Sequence, residues 1–160
     1  MTHQTNFDRV SSWLKIAGKE QNNKNLSTQV GVHLEEVAEM LDAMNITSPT
    51  GAIGNVLIEA KMILQLVATG LKSGEFGVQI FDHEAMLDAL CDQDVTLNGV
   101  AYLAGYDKNR ADKAVLDSND SKFEDGKAVI LEGGKIGKGR HYVRADLSDC
   151  IPQASQESAE

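Results

Sequence analysis

Apolar positions along the chain recur mostly at helical spacing. Phe7, Val10, Trp13 and Leu14 share one stripe and predict a first helix over roughly Phe7 to Lys19. A second, from about Ser27 to Met44, carries Val30, Leu34, Val37, Leu41 and Met44 at steps of three and four. The segment NITSPTG then breaks the pattern at Pro49 and Gly51. A third helix, about Asn55 to Leu71, is apolar on several faces through Val56, Leu57, Ala60, Met62, Ile63, Leu64, Leu66 and Val67. Such a helix is central or lies at an interface. After KSGEFG, a fourth helix is expected from about Asp82 to Gly105, and Tyr106 to Leu116 can form a short fifth.

The next segment is of another kind. Gly126, Gly133, Gly134, Gly137 and Gly139 punctuate it, and AVILEGG is its one strand-like run, suited to a small hairpin. No internal repeat is visible. The pattern predicts an all-α chain: an antiparallel helix bundle over residues 1–118, a loop-rich extension of the same domain over 119–151, and a disordered tail over 152–160.

Composition narrows the class. At 160 residues, 42% hydrophobic and 24% charged, the chain has the length and usage of one globular domain. The net charge is −9, unevenly spread. Residues 1–121 carry 9 bases and 17 acids, whereas residues 122–144 carry six bases against three acids. An acidic body is thus followed by a basic, Gly-rich segment. So acidic a chain is a poor partner for nucleic acid, whose affinity comes mostly from neutralised phosphates. No apolar run approaches the ~20 residues of a membrane span, and the start has no basic and apolar regions of a secretory signal. Cys91 and Cys150 stand far apart without a CxxC, which argues against zinc and against a disulfide scaffold. The expectation is a reduced, cytoplasmic protein with neither nucleic acid nor membrane as partner.

The candidate chemistry is carboxylate chemistry. Glu35, Glu36, Glu39 and Asp42 crowd the second helix. At ~100° per residue, Glu35, Glu39 and Asp42 fall within about 60° of one another, on the side away from the apolar stripe. Like charges one turn apart repel, and a divalent cation would remove the repulsion. The fourth helix repeats the arrangement with Asp88 and Asp92, and Glu84 one turn before them. Two helices presenting stacked carboxylates could close an all-oxygen site suited to Mg²⁺ or Mn²⁺. The alternative is a solvated acidic face. Asp94 falls instead among Met86, Leu90, Leu97 and Ala101, where it needs a cationic partner or a subunit boundary.

Three blocks carry a family resemblance over roughly residues 28–147. HLEEVAEML, with Glu35, Glu36 and Glu39, resembles the EExxE motif of MazG-like all-α nucleoside triphosphate pyrophosphohydrolases. LDALCDQDVTLNGVAYLAGYD resembles their second acidic helix. LDSNDSKFEDGKAVILEGGKIGKGRHYVRADL resembles the SNxSKF…DGK…GK…KG…Y…DL tail of one branch, which is related to phosphoribosyl-ATP pyrophosphohydrolases and includes proteins carried on mobile gene cassettes. Three residues before Asp92, where the family's ExxD has an acid, stands Ala89, and Asp88 faces the same way. Asp94 replaces an apolar residue, and Arg140 and Arg144 stand where relatives often have proline.

The resemblance implies the helix bundle of that family. It also implies Mg²⁺-dependent cleavage of nucleoside triphosphates between the α and β phosphorus atoms, releasing monophosphate and pyrophosphate. It implies Glu35, Glu39, Asp88 and Asp92 as metal ligands and Glu36 as the group activating water. Lys122 and Lys138 would contact phosphate, with Asn119 and Ser121 adding hydrogen bonds. It implies homodimers or dimers of dimers, for which the apolar third helix is the candidate contact. Trp13, Asn98 and Tyr102 are candidate base contacts, but Trp13 and Tyr102 fit core aromatics better. The competing expectations are a phosphoribosyl-ATP pyrophosphohydrolase of histidine synthesis and a non-enzymatic helical adaptor.

Overall fold

A computed structural model describes residues 4–47, 53–131 and 135–153. The described residues form five α-helices, α1 (Asn6–Ile16), α2 (Asn23–Asp42), α3 (Ile53–Ser73), α4 (His83–Leu103) and α5 (Lys108–Asp120), and a 3-10 turn at Ser148–Cys150. The all-α class is therefore met. Among the described residues β-structure is limited to two isolated bridges, Glu124 with Lys127 and Ile130 with Ile136. The break at Pro49 and Gly51, and the tail beyond residue 153, lie outside the described residues.

Local chemistry explains most of the boundaries. Thr5 and Asp8 form a reciprocal capping box at the start of α1. The side chains of Asn22, Asp82 and Asp107 accept from backbone N–H groups in the first turns of α2, α4 and α5. Gly18 (φ 71°) and Gly105 (φ 73°) end α1 and α4 in the left-handed region. Lys19 N–H then reaches back to the Leu14 carbonyl, and Tyr106 N–H to that of Ala101. α1 therefore stops at Ile16, short of Lys19.

The chain divides into two compact units, Glu20–Phe81 and Met1–Lys19 with Asp82–Glu160. In the first, α2 and α3 pair antiparallel. The pairing follows small residues: Ser27, Gly31 and Ala38 of α2 are buried, as are Ala68, Gly70 and Leu71 of α3. A Cβ on Gly31 would meet the Ala68 carbonyl oxygen at 2.9 Å. The predicted stripe of Val30, Leu34, Val37 and Leu41 is only half-buried, and Met44 is exposed. The contact with α3 runs along the seam between the apolar stripe and the acidic one. Beyond α3, Phe76 packs on Gly70, and the buried Ser27 hydroxyl accepts from Val78 N–H.

Val56, Met62, Ile63 and Leu66 of α3 remain exposed on the side away from α2, each at 62–66%. Here an expectation needs correction. Although charges interrupt it, Gly54–Ser73 is long and apolar enough on average to cross a bilayer. It includes Glu59, Lys61 and Lys72, and the two lysines are ion-paired to α2.

In the second unit α1 and α5 lie side by side and run parallel, unlike neighbours in an antiparallel bundle. Arg9 bridges Asp117 (2.9 Å) and Asp120 (2.6 Å), and Trp13 Nε1 donates to the Asn119 carbonyl (2.9 Å). Hydrogen bonds from Lys113 and Arg9 hold the Asp117 carboxyl below the usual carboxylate range. The C-terminal stretch docks on the start of α5, where Asp107 N–H meets the Cys150 carbonyl and Arg110 pairs with Asp149.

The close approach at Gly31 has a measurable consequence. Gly31→Val should destabilise the α2–α3 pair by about 1–3 kcal/mol, because the neighbour facing the new side chain is partly backbone. Gly99, where an added Cβ would meet nothing within 4 Å among the described residues, is the control. Gly99→Ala should be neutral or stabilising by up to about 1 kcal/mol. Urea denaturation of both variants checks the contrast.

Candidate functional site

The carboxylates of α2 do not act as one set. Glu35 and Asp42 flank buried Ala38 on the face that meets α3, and each takes a lysine from it. Lys72 Nζ lies 2.6 Å from Glu35 Oε1, and Lys61 Nζ lies 2.5 Å from Asp42 Oδ1. Glu36 and Glu39, further round the helix, are exposed. The predicted repulsion between Glu35 and Glu39 is thus relieved by a lysine at Glu35. A cation bound there would compete with an ammonium group.

Asp88 and Asp92 are exposed, stacked one turn apart on α4, and neither forms an ion pair among the described residues. The same face carries Val95, Gly99 and Tyr102, and it ends at Leu103. Tyr102 is 82% exposed, which corrects its expected place in a core. Asn98 is spent locally, its amide donating to the Asp94 carbonyl at 2.7 Å. Asp94 itself is exposed.

The donors on α2 and α4 are all oxygen, the chemistry a Mg²⁺ site requires. Among the described residues, however, no group of three or more His, Cys, Asp or Glu side chains gathers closely enough to hold a metal ion.

The basic segment is assembled more fully. Where α5 ends, Lys122 Nζ donates to Asn119 Oδ1 (2.8 Å) and lies 5.8 Å from the Trp13 ring centroid. Trp13 stacks on Phe123 at 5.3 Å between centroids, so one aromatic pair supports the Asn119–Lys122 turn. The Ser121 hydroxyl is already engaged. It donates to the Ser118 carbonyl (2.7 Å) and accepts from Val143 N–H (2.9 Å), tying the chain's return to the α5 end. Lys138 Nζ sits 4.6 Å from the Tyr142 centroid, and Gly139 N–H donates to the Lys122 carbonyl (3.1 Å). The structure thus brings Asn119, Ser121 and Lys122 together, with the backbone beside Lys138 tied to the same turn.

Sequence reasoning overlooked the turn that starts this return. Asp125 (φ 50°) and Gly126 (φ 73°) form a two-residue turn closed by the Glu124–Lys127 bridge. An Asp-Gly pair is the usual signal for such a turn. The hairpin expected in AVILEGG is represented by the single Ile130–Ile136 bridge, and residues 132–134 within it lie outside the described residues. Glu124 was also not singled out. Its carboxylate accepts from Arg140 N–H, which holds it below the usual carboxylate range.

Comparison with family models, with curated proteins and with solved structures finds no match to this chain.

Trp13 is the single tryptophan, so its environment can be followed directly. Removing the ring beneath it in Phe123→Ala should red-shift its fluorescence and destabilise the α1–α5 unit by about 1–3 kcal/mol. An unshifted emission maximum would mean that the two rings do not stack in solution.

Proposed function

We propose that the chain is a Mg²⁺-dependent hydrolase of (deoxy)nucleoside triphosphates that releases nucleoside monophosphate and pyrophosphate and serves nucleotide-pool house-cleaning. The observation that carries this is the cationic turn at Asn119–Lys122, backed by Trp13 and joined by the Lys138 loop, on an otherwise acidic chain. Carboxylates alone repel a triphosphate, and a local group of cations answers that repulsion. The resemblance of the EExxE and SKF blocks to MazG-like enzymes supports the same reading.

In this reading Glu35 with Glu39, and Asp88 with Asp92, are each a pair of oxygen donors that would take Mg²⁺, with the cation displacing Lys72 at Glu35. The metal would supply charge neutralisation on the phosphates and make water more acidic. Glu36, about 100° round α2 from Glu35, accepts a proton from the attacking water. Lys122 and Lys138 take the charge of the distal phosphates, with Asn119 orienting the Lys122 ammonium and Ser121 fixing the loop.

The wild-type chain with Mg²⁺ should release pyrophosphate, not orthophosphate, from at least one substrate in a panel of the eight canonical triphosphates and phosphoribosyl-ATP. Excess chelator should abolish the release. Glu36→Gln should lower kcat about 10²–10⁴-fold. Orthophosphate as first product, or undiminished turnover by Glu36→Gln, contradicts the assignment.

We also propose that the chain self-associates as a dimer or a dimer of dimers. The exposed α3 face and the exposed Leu87, Val95, Val100, Tyr102 and Leu103 of α4 support this, since monomers seldom leave so many large apolar side chains in water. The same faces favour a helical adaptor as the second reading. Sedimentation equilibrium should give a mass of at least twice 17.3 kDa, and Leu66→Glu should shift it toward one chain. A wild-type monomer that also releases no pyrophosphate favours the adaptor.

A further inference from the structure

The chain leaves the Asn119–Lys122 turn, passes through the Asp125–Gly126 turn, and comes back over residues 135–144 to lie on it. Three backbone contacts make the return. Gly139 N–H donates to the Lys122 carbonyl, Arg140 N–H donates to Glu124 Oε1, and Val143 N–H donates to Ser121 Oγ. Gly139 is buried, and a Cβ there would lie 2.7 Å from Glu124 Cγ and 2.8 Å from the Lys122 oxygen. The Arg140 guanidinium adds a second contact to Glu124 Oε2 at 3.3 Å. Tyr142 N–H donates to the Gly139 carbonyl, and Lys138 Nζ lies 4.6 Å from the Tyr142 ring centroid.

Glu124 is thus an acid within the most basic stretch of the chain, and its carboxylate is turned on the backbone of the returning loop. We infer that Glu124 is a positioning residue for polyphosphate binding: through Arg140 and Gly139 it holds Lys138 beside Lys122, so that both ammonium groups meet one polyphosphate. This rests on the reading that the two lysines contact the triphosphate. Glu124 itself touches no phosphate. Removing its carboxylate takes away negative charge, so simple electrostatics would strengthen anion binding, whereas loss of positioning weakens it. The sign of the effect separates the two.

The test uses the full-length chain, calorimetric titration with inorganic tripolyphosphate in Mg²⁺, and steady-state turnover of the preferred triphosphate. Glu124→Ala should weaken tripolyphosphate binding and raise KM roughly tenfold, the loss of about one charge-assisted contact, with kcat within about twofold. Glu124→Gln keeps an acceptor for Arg140 N–H and should stay within about threefold of wild type. In a Lys138→Ala background, Glu124→Ala should add nothing, because the residue it positions is gone. Should Glu124→Ala fail to fold, Gly139→Ala, which pushes the same loop away from Lys122, should give the same weakening. Tighter or unchanged binding by Glu124→Ala, or a full additional loss in the Lys138→Ala background, overturns the positioning role. Tripolyphosphate binding that depends on Glu124 in a chain releasing no pyrophosphate refutes the hydrolase and leaves the positioning role standing. A wild-type chain that neither binds nor turns over overturns both.

Discussion

Much of unit Glu20–Phe81 follows from how closely α2 can approach α3. Gly31, Ala38 and Ala68 remove bulk at the contact, and dispersion between backbones rewards the approach. Larger side chains then fall to either side of the seam. The aliphatic stripe of α2 is left half-covered on one flank. On the other, Glu35 and Asp42 come within reach of Lys72 and Lys61. These are partly exposed ion pairs, and each adds at most about 1 kcal/mol. Their chemical effect is larger, since they give Glu35 and Asp42 an ammonium partner each.

Unit Met1–Lys19 with Asp82–Glu160 is organised by polar contacts to a greater degree. Arg9 reaches two aspartates of α5, and Trp13 both donates to the Asn119 carbonyl and stacks on Phe123. One side chain of α1 therefore shapes the turn from which Lys122 projects. The glycines of the basic segment matter here because a returning backbone lies directly on that turn. Gly139 has no room for a methyl group. The backbone of Gly139 and Arg140, next to Lys138, is thereby brought onto the turn that carries Lys122.

The five helices were legible from periodicity and punctuation, because caps and stops act within a turn of their own residues. Thr5 with Asp8, Gly18 and Gly105 are examples. Which side of α2 becomes buried was not legible. The strongest apolar stripe suggested Val30, Leu34, Val37 and Leu41, but contact distance favoured the small residues beside them. A hydrophobic pattern reports what gains from leaving water, and says little about what fits against a given neighbour. Tyr102 shows the same limit, since nothing in its local sequence distinguishes a core aromatic from an exposed one.

The candidate site divides along the same line. The sequence by itself determined the inventory: carboxylates one turn apart on two helices, a local cationic excess at residues 122–144, and the blocks that resemble MazG-like enzymes. Residue type and helical spacing are enough for that. Tertiary structure decided the partners. It set Lys72 on Glu35, tied Ser121 into the chain's return, and turned Glu124 from one more acid into the acceptor that holds Arg140. These assignments join positions 16 to 37 residues apart. Only the folded path of the chain brings such positions together, and no local propensity encodes that path.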